Sequence, residues 1–281
     1  MAKNFLFGCC IGMKIFPIRL NNFNIAKKPS GSFSVKHSLP CDTVSFSASV
    51  NEKKSKPDIE SCLRDLKYDI MYDRHKKIFN YFGIKSRRTD SNRFTISHYK
   101  QPSDDFTFAN LGIDENNLME QIITIEGDAD FKRTSLKDTK NIRHIGGNCD
   151  ISRSRITYFP KLMDIKGDLI AESSLLENIG SLRRVEGNVD CAFCCLKNLN
   201  SLEYVGGDLD LTSNYNLKSL GNVEYVGGDL YIADTKIKKA EHLKEVGGKI
   251  YVNTRQFDRF KNTLPKEFAE KFVVVPDRPT D

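Results

Sequence analysis

Cysteine is the residue type whose spacing in this chain comes closest to a chemical site. The chain has eight cysteines, and Cys191, Cys194 and Cys195 form a Cys-x-x-Cys-Cys cluster. A structural zinc site needs four ligands in tetrahedral reach, usually from two paired motifs, and no second cluster faces this one. The alternation of neighbouring residues points Cys191 inward, so we interpret the cluster as part of the packing. Unpaired thiols in this number favour a reducing, intracellular compartment.

A Gly-Gly-Asp motif is the second pattern that could do chemistry. Calcium-binding nonapeptide repeats use similar residues, but they recur about every nine residues, whereas the period here is 20. A phosphate-binding loop needs a Lys-Ser/Thr pair and a helix after its glycines, and neither follows the motif. The five histidines are scattered, and none lies beside a candidate nucleophile. We therefore expect no metal, no cofactor and no enzymatic activity.

The motif belongs to a repeat that organises roughly half of the chain. A glycine recurs at spacings of 20, 20, 20, 20, 21 and 20 residues, and a strict period in the twenties predicts a solenoid of stacked coils. Glycine suits such a return of the chain because it reaches positive φ and lets backbones approach closely. The marker glycines are Gly127, Gly147, Gly167, Gly187, Gly207, Gly228 and Gly248.

Apolar residues keep fixed distances from the marker glycines. Around Gly207 they are Val205, Leu209, Leu211 and Leu217, and the other copies repeat the same columns. The alternation of apolar and polar residues after the marker predicts a strand with one buried face. Ordering one copy costs about 20–40 kcal/mol, and about seven buried apolar side chains return roughly 1.5–3 kcal/mol each. Stability must therefore come from the stacking of copies.

The stretch Leu209–Leu220 reads L-D-L-T-S-N-Y-N-L-K-S-L, which resembles the leucine-rich repeat pattern L-x-L-x-x-N-x-x-L-x-x-L. The 20-residue length resembles the short bacterial repeats of that family. The resemblance implies an α/β solenoid, a horseshoe with one parallel β-sheet on its concave face and a mostly extended convex side. We expect the asparagine column to bond backbone groups that the turn leaves unpaired. Only Asn214 is asparagine there, beside Thr134, Ser154, Ser174, Cys194 and Thr235.

Two polar columns lie on the outward side of the predicted strand. One residue after the marker, Asp and Asn alternate through five copies, and we expect this column to cap the turn. Three residues after it, aspartates stand in pairs that no turn requires, and tyrosines end the column. Carboxylates on strands about 4.8 Å apart repel by roughly 1–3 kcal/mol per pair. Because no turn accounts for this cost, we predict that the paired aspartates bind a partner. The predicted partner-binding residues are Asp130, Asp150, Asp190, Asp210, Tyr231 and Tyr251.

The predicted function is a non-enzymatic protein-interaction module that binds a basic or mixed protein surface on its acidic concave face. Basic residues such as Arg153, Arg184 and Lys236 are assigned to the turns and the convex side. An alternative is nucleic-acid or membrane-surface association through a basic tail, although nucleic acid is the less favoured partner. A third interpretation is an adhesin-like or structural repeat protein, which would require export. We expect a monomer.

The regions outside the repeats divide the chain further. Residues 1–41 carry six basic residues and no acidic one, while the rest balances at 37 of each. We predict a disordered leader and linker over residues 1–54, with an export signal as the alternative, and no membrane-spanning segment. A helical flank and cap follow over 55–122, with helices at Pro57–Phe82, ended by Gly83, and at Leu111–Ile122. The seven repeats occupy 123–255, and aromatic residues close the array within 256–281.

Overall fold

The structure, a computed structural model, describes residues 33–39, 42–48, 72–89, 93–100, 114–199, 201–238, 240–260 and 266–277. Strands β1 (Phe33–Leu39) and β2 (Asp42–Ala48) pair antiparallel, where the sequence led us to expect a linker. This hairpin belongs to one compact unit of the chain, and residues 72–277 belong to another. The basic leader before Phe33, the question of an export signal and the predicted helix before residue 72 lie outside the described residues.

The second unit is a β-solenoid of about seven turns. Each coil contributes one short strand before its marker glycine and one after it, and each set pairs into a nine-stranded sheet. All the pairings within these two sheets are parallel except β3 with β4. The strands before the markers form sheet 1, which contains β3 (Ser86–Arg88), β4 (Phe94–Ile96), β6 (Ile122–Ile125), β8 (His144–Ile145), β10 (Asp164–Ile165), β12 (Arg184–Val185), β14 (Tyr204–Val205), β16 (Tyr225–Val226) and β18 (Glu245–Val246).

The strands after the markers form sheet 2. It contains β5 (Tyr99–Lys100), β7 (Ala129–Asp130), β9 (Cys149–Asp150), β11 (Leu169–Ile170), β13 (Val189–Asp190), β15 (Leu209–Asp210), β17 (Leu230–Tyr231), β19 (Ile250–Asn253) and β20 (Phe272–Val275). We expected one sheet, and the structure has two because the chain bends at the marker glycine between the two strands of each coil. A third line of parallel bridges joins Asp138, Tyr158, Asn178 and Asn198.

The first coil begins earlier than the repeat pattern indicated. Ile96 pairs with Ile125, and Tyr99 pairs with Ala129, so that β4 and β5 add a rung before Gly127. This rung has no marker glycine, and the segment between its two strands is one residue shorter. For both reasons the repeat pattern in the sequence did not include it. Helix α2 (Glu115–Glu120), capped by the Asp114 carboxylate as expected, lies on the return path between β5 and β6 rather than at the open end.

The N-terminal end of the array is covered by helix α1, whose described part spans residues 72–81. Its Phe79 and Tyr72 rings pack against Phe94 of β4, with centroids 5.2 and 4.9 Å apart. Gly83 ends the helix at φ 70°, a conformation that favours glycine. The chain is thus helical over 72–81, within the span predicted for the flanking helix, and Gly83 lies at the end of this helix.

The C-terminal end is closed by helix α3 (Thr254–Phe260), a 3₁₀ helix (Lys266–Lys271) and β20. Phe260 and Phe268 are buried in the core, as the aromatic pattern predicted. Sheet 1 ends one strand earlier than sheet 2, and the Lys271 ammonium donates to the Val246 carbonyl of its last strand. An exposed strand edge invites pairing with other chains, so this side chain protects the edge.

The four apolar columns form the core along the whole array. In the copy around Gly147, the side chains of Ile145, Cys149, Ile151 and Ile156 are all 0% exposed. The glycines and aspartates of each copy lie in the turn between its two strands, and the apolar residues lie inside the coil. In the part of the chain that the structure describes, no helix is both long enough and apolar enough to cross a membrane.

The polar column also lies inside and bonds the backbone of the preceding coil. Asn214 donates to the Cys191 carbonyl at 2.8 Å, and Cys194 donates to the equivalent Ala171 carbonyl at 3.0 Å. Gln256 donates to the Ile232 carbonyl at 2.8 Å, which replaces the column member at the position where Arg255 breaks the pattern. The expected bonding of unpaired backbone groups is confirmed, and cysteine and glutamine perform it as well as asparagine.

Candidate functional site

The six predicted partner-binding residues lie in one column on the outward side of sheet 2. Asp130 is in register with Asp150, and Asp190 is in register with Asp210. The column then continues from Asp210 to the two tyrosines on the next strands. Ile170 separates the two aspartate pairs. The column therefore has an acidic start, an apolar break, a second acidic pair and an aromatic end.

Each aspartate of the column caps a turn, which corrects the expectation that no turn requires them. Its Oδ1 accepts a hydrogen bond from the backbone N–H two residues on, at 3.1 Å for Asp130, 3.0 Å for Asp150, 3.1 Å for Asp190 and 2.8 Å for Asp210. This bond holds the side chain in one orientation. In each coil the turn that follows contains one residue at positive φ. From the first coil to the sixth these residues are Arg133, Arg153, Ser173, Phe193, Ser213 and Asp234.

The two aspartate pairs differ in how their charge is balanced. The Lys132 ammonium lies 2.8 Å from Asp150 Oδ2 and offsets one of the two negative charges of the first pair. Asp190 and Asp210 make no ion pair with any described residue. Burial raises the pKa of Asp190, and the charges of Asp210 and Glu172 raise it further, while the Ala192 N–H opposes these effects. The second pair thus carries an unbalanced negative charge.

The aromatic end of the column is a stacked pair. The Tyr231 and Tyr251 rings lie 4.4 Å apart at an angle of 10°. The Tyr231 hydroxyl donates to Asp229 Oδ2 at 3.1 Å. Desolvation and this carboxylate raise the pKa of Tyr231 to about 12, so the phenol keeps its proton at neutral pH. The pair forms a rigid apolar surface next to the acidic residues.

The alternating Asp and Asn column caps the turn, as expected, and it does so across coils. Each Oδ1 accepts from the backbone N–H of its counterpart in the next coil, at 2.7–2.8 Å. A Cβ on Gly207 would lie 2.2 Å from Asn188 Oδ1. At the six markers from Gly147 to Gly248 an Oδ1 of this column fills the space where a Cβ would stand, and at Gly127 the Ser97 carbonyl fills it. None of the seven markers has positive φ. The expectation that the markers are glycine because the turn needs positive φ was therefore wrong.

A column on the outward side of sheet 1 was missed by the sequence analysis. The Arg184 guanidinium lies 3.6 Å from the centroid of the Tyr204 ring, and the Tyr204 and Tyr225 rings stack at 4.9 Å and 4°. Arg184 belongs to strand β12, and its assignment to the turns and convex side was wrong. The available signal was the position three residues before each marker, which holds Thr124, His144, Asp164, Arg184, Tyr204, Tyr225 and Glu245.

The cysteine cluster is divided between the core and the surface. Cys191 and Cys194 are buried, and Cys195 is exposed. A hydrogen bond with Cys194 and burial raise the pKa of the Cys191 thiol, which makes it a poor nucleophile. Across the described ranges, no three or more His, Cys, Asp or Glu side chains come together as a metal site.

Comparison with known proteins adds no relative. No protein-family model matches the chain, and no curated protein or solved structure matches it either. The function has therefore to be inferred from the residue columns themselves.

Proposed function

We propose that this chain is a non-enzymatic protein-interaction module that binds a basic or mixed protein surface on the outward side of sheet 2. The observation that carries the proposal is the Asp190–Asp210 pair, which is in register and unbalanced by any described cation. The equivalent pair at Asp150 has its own lysine. A cation supplied by a partner would relieve the repulsion between Asp190 and Asp210, and the relief would contribute to binding.

The neighbouring side chains support a preformed binding surface. The backbone N–H groups fix one oxygen of Asp190 and of Asp210, so little side-chain freedom is lost on binding. The stacked Tyr231 and Tyr251 rings supply a rigid aromatic anchor on the adjoining strands, the residue type that dominates many interface hot spots.

We also propose that the array is of the leucine-rich-repeat kind and that sheet 2 forms the concave face. Asn214 supports this assignment, because its buried amide donates to Cys191 and Leu211 and accepts from Leu196. These contacts are the ones expected of an asparagine ladder between coils.

Affinity capture from lysate with the full chain tests the interaction. We expect Asp190→Lys with Asp210→Lys to lose the partners that the natural chain captures, because the change converts attraction into repulsion. The matched control, Glu267→Lys with Glu270→Lys, changes the net charge equally at two exposed residues of the C-terminal cap and should retain them.

Unchanged capture by the Asp190/Asp210 variant would overturn the proposal. Deletion of residues 1–41 tests the alternative function. If this deletion alone abolishes capture, and capture by the full chain falls steeply with salt, the basic leader is the binding segment. The six basic residues and absent acidic residues of that leader motivate this arm of the experiment.

A further inference from the structure

The stacked side chains on sheet 1 end beside an exposed carboxylate. Tyr225 is in register with Glu245 on β18, the last strand of the sheet. We propose that an arginine side chain of the partner stacks on the outer face of Tyr225 and pairs with the Glu245 carboxylate. This inference rests on the proposed function, since it names the group that a basic partner would present.

The other end of the same stack shows a related arrangement within the chain, in which the guanidinium and its carboxylate belong to one coil. The Arg184 guanidinium lies over Tyr204 at 3.6 Å. Its Nε and Nη2 donate to the two Glu186 carboxylate oxygens at 2.7 and 3.1 Å. Carboxylate, guanidinium and ring thus follow one another at one end of the tyrosine pair. At the other end Glu245 stands in the column itself, in register with Tyr225, so a ring and a carboxylate are present and a ligand would supply the guanidinium.

Both groups at that end are available. Glu245 is exposed, and within the described ranges its carboxylate makes neither a hydrogen bond nor an ion pair. Tyr225 is half-buried, and no ring or cation other than Tyr204 stacks on it among the described residues. An unpaired carboxylate beside an aromatic face is complementary to a flat cation.

The chemistry favours arginine over lysine and over an added strand. A guanidinium is planar, so it can stack on a ring and donate two parallel hydrogen bonds to a carboxylate, which an ammonium cannot. Strand addition at this edge is opposed because Lys271 already occupies the Val246 carbonyl.

The arginine site adjoins the acidic column of sheet 2 through one turn. Tyr225 Cε1 lies 3.4 Å from where a Cβ on Gly227 would stand, so its ring leans over this glycine. From the other strand of the same coil, Tyr231 donates to Asp229. The two stacked tyrosine pairs thus flank the Gly227–Asp229 turn. A partner seated on Tyr231 and Tyr251 could reach Tyr225 with a single side chain.

An NMR titration of the full chain with ¹³C-labelled tyrosine rings tests the site. The probes are N-acetyl-arginine amide, N-acetyl-lysine amide and N-acetyl-citrulline amide, the last being a neutral analogue of arginine. We expect the arginine probe to shift the Tyr225 resonances saturably, with Kd on the order of 1–10 mM. The lysine and citrulline probes should bind at least about fivefold more weakly, because each lacks the planar charge.

Variants identify the residues that hold the probe. Glu245→Gln, followed at the Tyr225 ring, and Tyr225→Leu, followed at the stacked Tyr204 ring, should each weaken arginine binding by at least about fivefold, the range of a charge-assisted contact. The matched controls are Glu224→Gln, whose carboxylate pairs with Lys244 at 2.7 Å, and Tyr215→Leu, an exposed tyrosine outside both columns. Both controls should leave the arginine titration unchanged. Equal binding of citrulline, or full binding by Glu245→Gln, would overturn the arginine site.

The same variants separate this inference from the proposed function. Asp190→Lys with Asp210→Lys should abolish partner capture and leave the response of Tyr225 to the arginine probe in place. If capture depends on the aspartates while Glu245→Gln binds the probe normally, the arginine site is wrong and the interaction surface stands. If capture survives the aspartate change while Glu245→Gln loses the probe, the proposed function fails and the arginine site stands.

Discussion

The Asp190 side chain stabilises the fold by capping a turn, and its negative charge destabilises the fold. Its Oδ1 accepts from the Ala192 N–H at 3.1 Å and caps the turn. Burial and the charge of Asp210 raise its pKa in the folded chain. A carboxyl whose folded pKa is raised favours folding when it is protonated, and this stability is lost as the pH rises through its titration. The amide of asparagine would keep the cap and remove the charge.

We expect Asp190→Asn to increase the free energy of unfolding at pH 7 by about 0.2–1 kcal/mol, the scale of a cross-strand charge pair. The gain should shrink toward zero below about pH 4, where an aspartate is protonated in either state. Urea unfolding at pH 7 and pH 3.5 measures both values. Asp168→Asn, which stands between Asn148 and Asn188 in the column that alternates Asp with Asn, is the control and should be neutral. A loss of stability in Asp190→Asn at pH 7 would contradict the assignment of an electrostatic cost.

At the scale of the element, the marker turn depends on contacts between coils. Asn188 Oδ1 accepts from the Asp208 N–H at 2.8 Å, and the same oxygen occupies the space where a Cβ on Gly207 would lie. The glycine and the amide are therefore one structural unit. Because Gly207 does not have positive φ, an alanine there meets a steric obstacle and no backbone strain.

A double-mutant cycle tests this unit. We expect Gly207→Ala alone to lower the free energy of unfolding by about 1–3 kcal/mol, the cost of overpacking. Asn188→Ala alone should cost about 0.5–1.5 kcal/mol for the lost hydrogen bond. In the Asn188→Ala background, Gly207→Ala should cost at least about 1 kcal/mol less than in the natural chain, since the obstructing oxygen is gone. Additive costs in urea unfolding would show that the two residues are independent.

At the scale of the whole molecule, the second unit is a line of coils in which each contacts its neighbours. Such arrays gain stability from the interfaces between repeats, and their ends must be covered. Gln256, Phe260 and Phe268 close the last coil from α3 and the 3₁₀ helix. Lys271 protects the end of sheet 1. Damage at this end should therefore spread inward from it rather than weaken all coils equally.

Truncation after Asn253 tests this expectation. It exposes Ile250 and Val252 and removes two buried phenylalanines, worth roughly 1.5–3 kcal/mol each. We expect hydrogen exchange to lose protection in the coils around Gly228 and Gly248 and to change little in the coil around Gly147. Truncation after Asp277, which keeps the cap, is the control and should match the full chain. A uniform loss of protection along the array would contradict stepwise stability.

The periodic parts of the structure could be predicted from local pattern. The columns around Gly207, such as Leu209 and Leu211, lie inside because a strand alternates its faces. The alternating Asp and Asn residues cap the turn because short polar side chains satisfy backbone N–H groups. The rung formed by Ile96 and Tyr99 escaped prediction because it carries no glycine and breaks the spacing.

What the sequence by itself determined is the solenoid, its period and the residues of its core, since each follows from spacing along the chain. Only the tertiary structure decided which charged side chains are paired with each other. Lys132 reaches Asp150 from the neighbouring coil, whereas Asp190 and Asp210 meet no described cation. Only stacking placed Arg184 on Tyr204 and left Tyr225 beside Glu245. Contacts between residues 18 to 21 positions apart depend on register and side-chain reach across coils, which linear spacing alone does not specify.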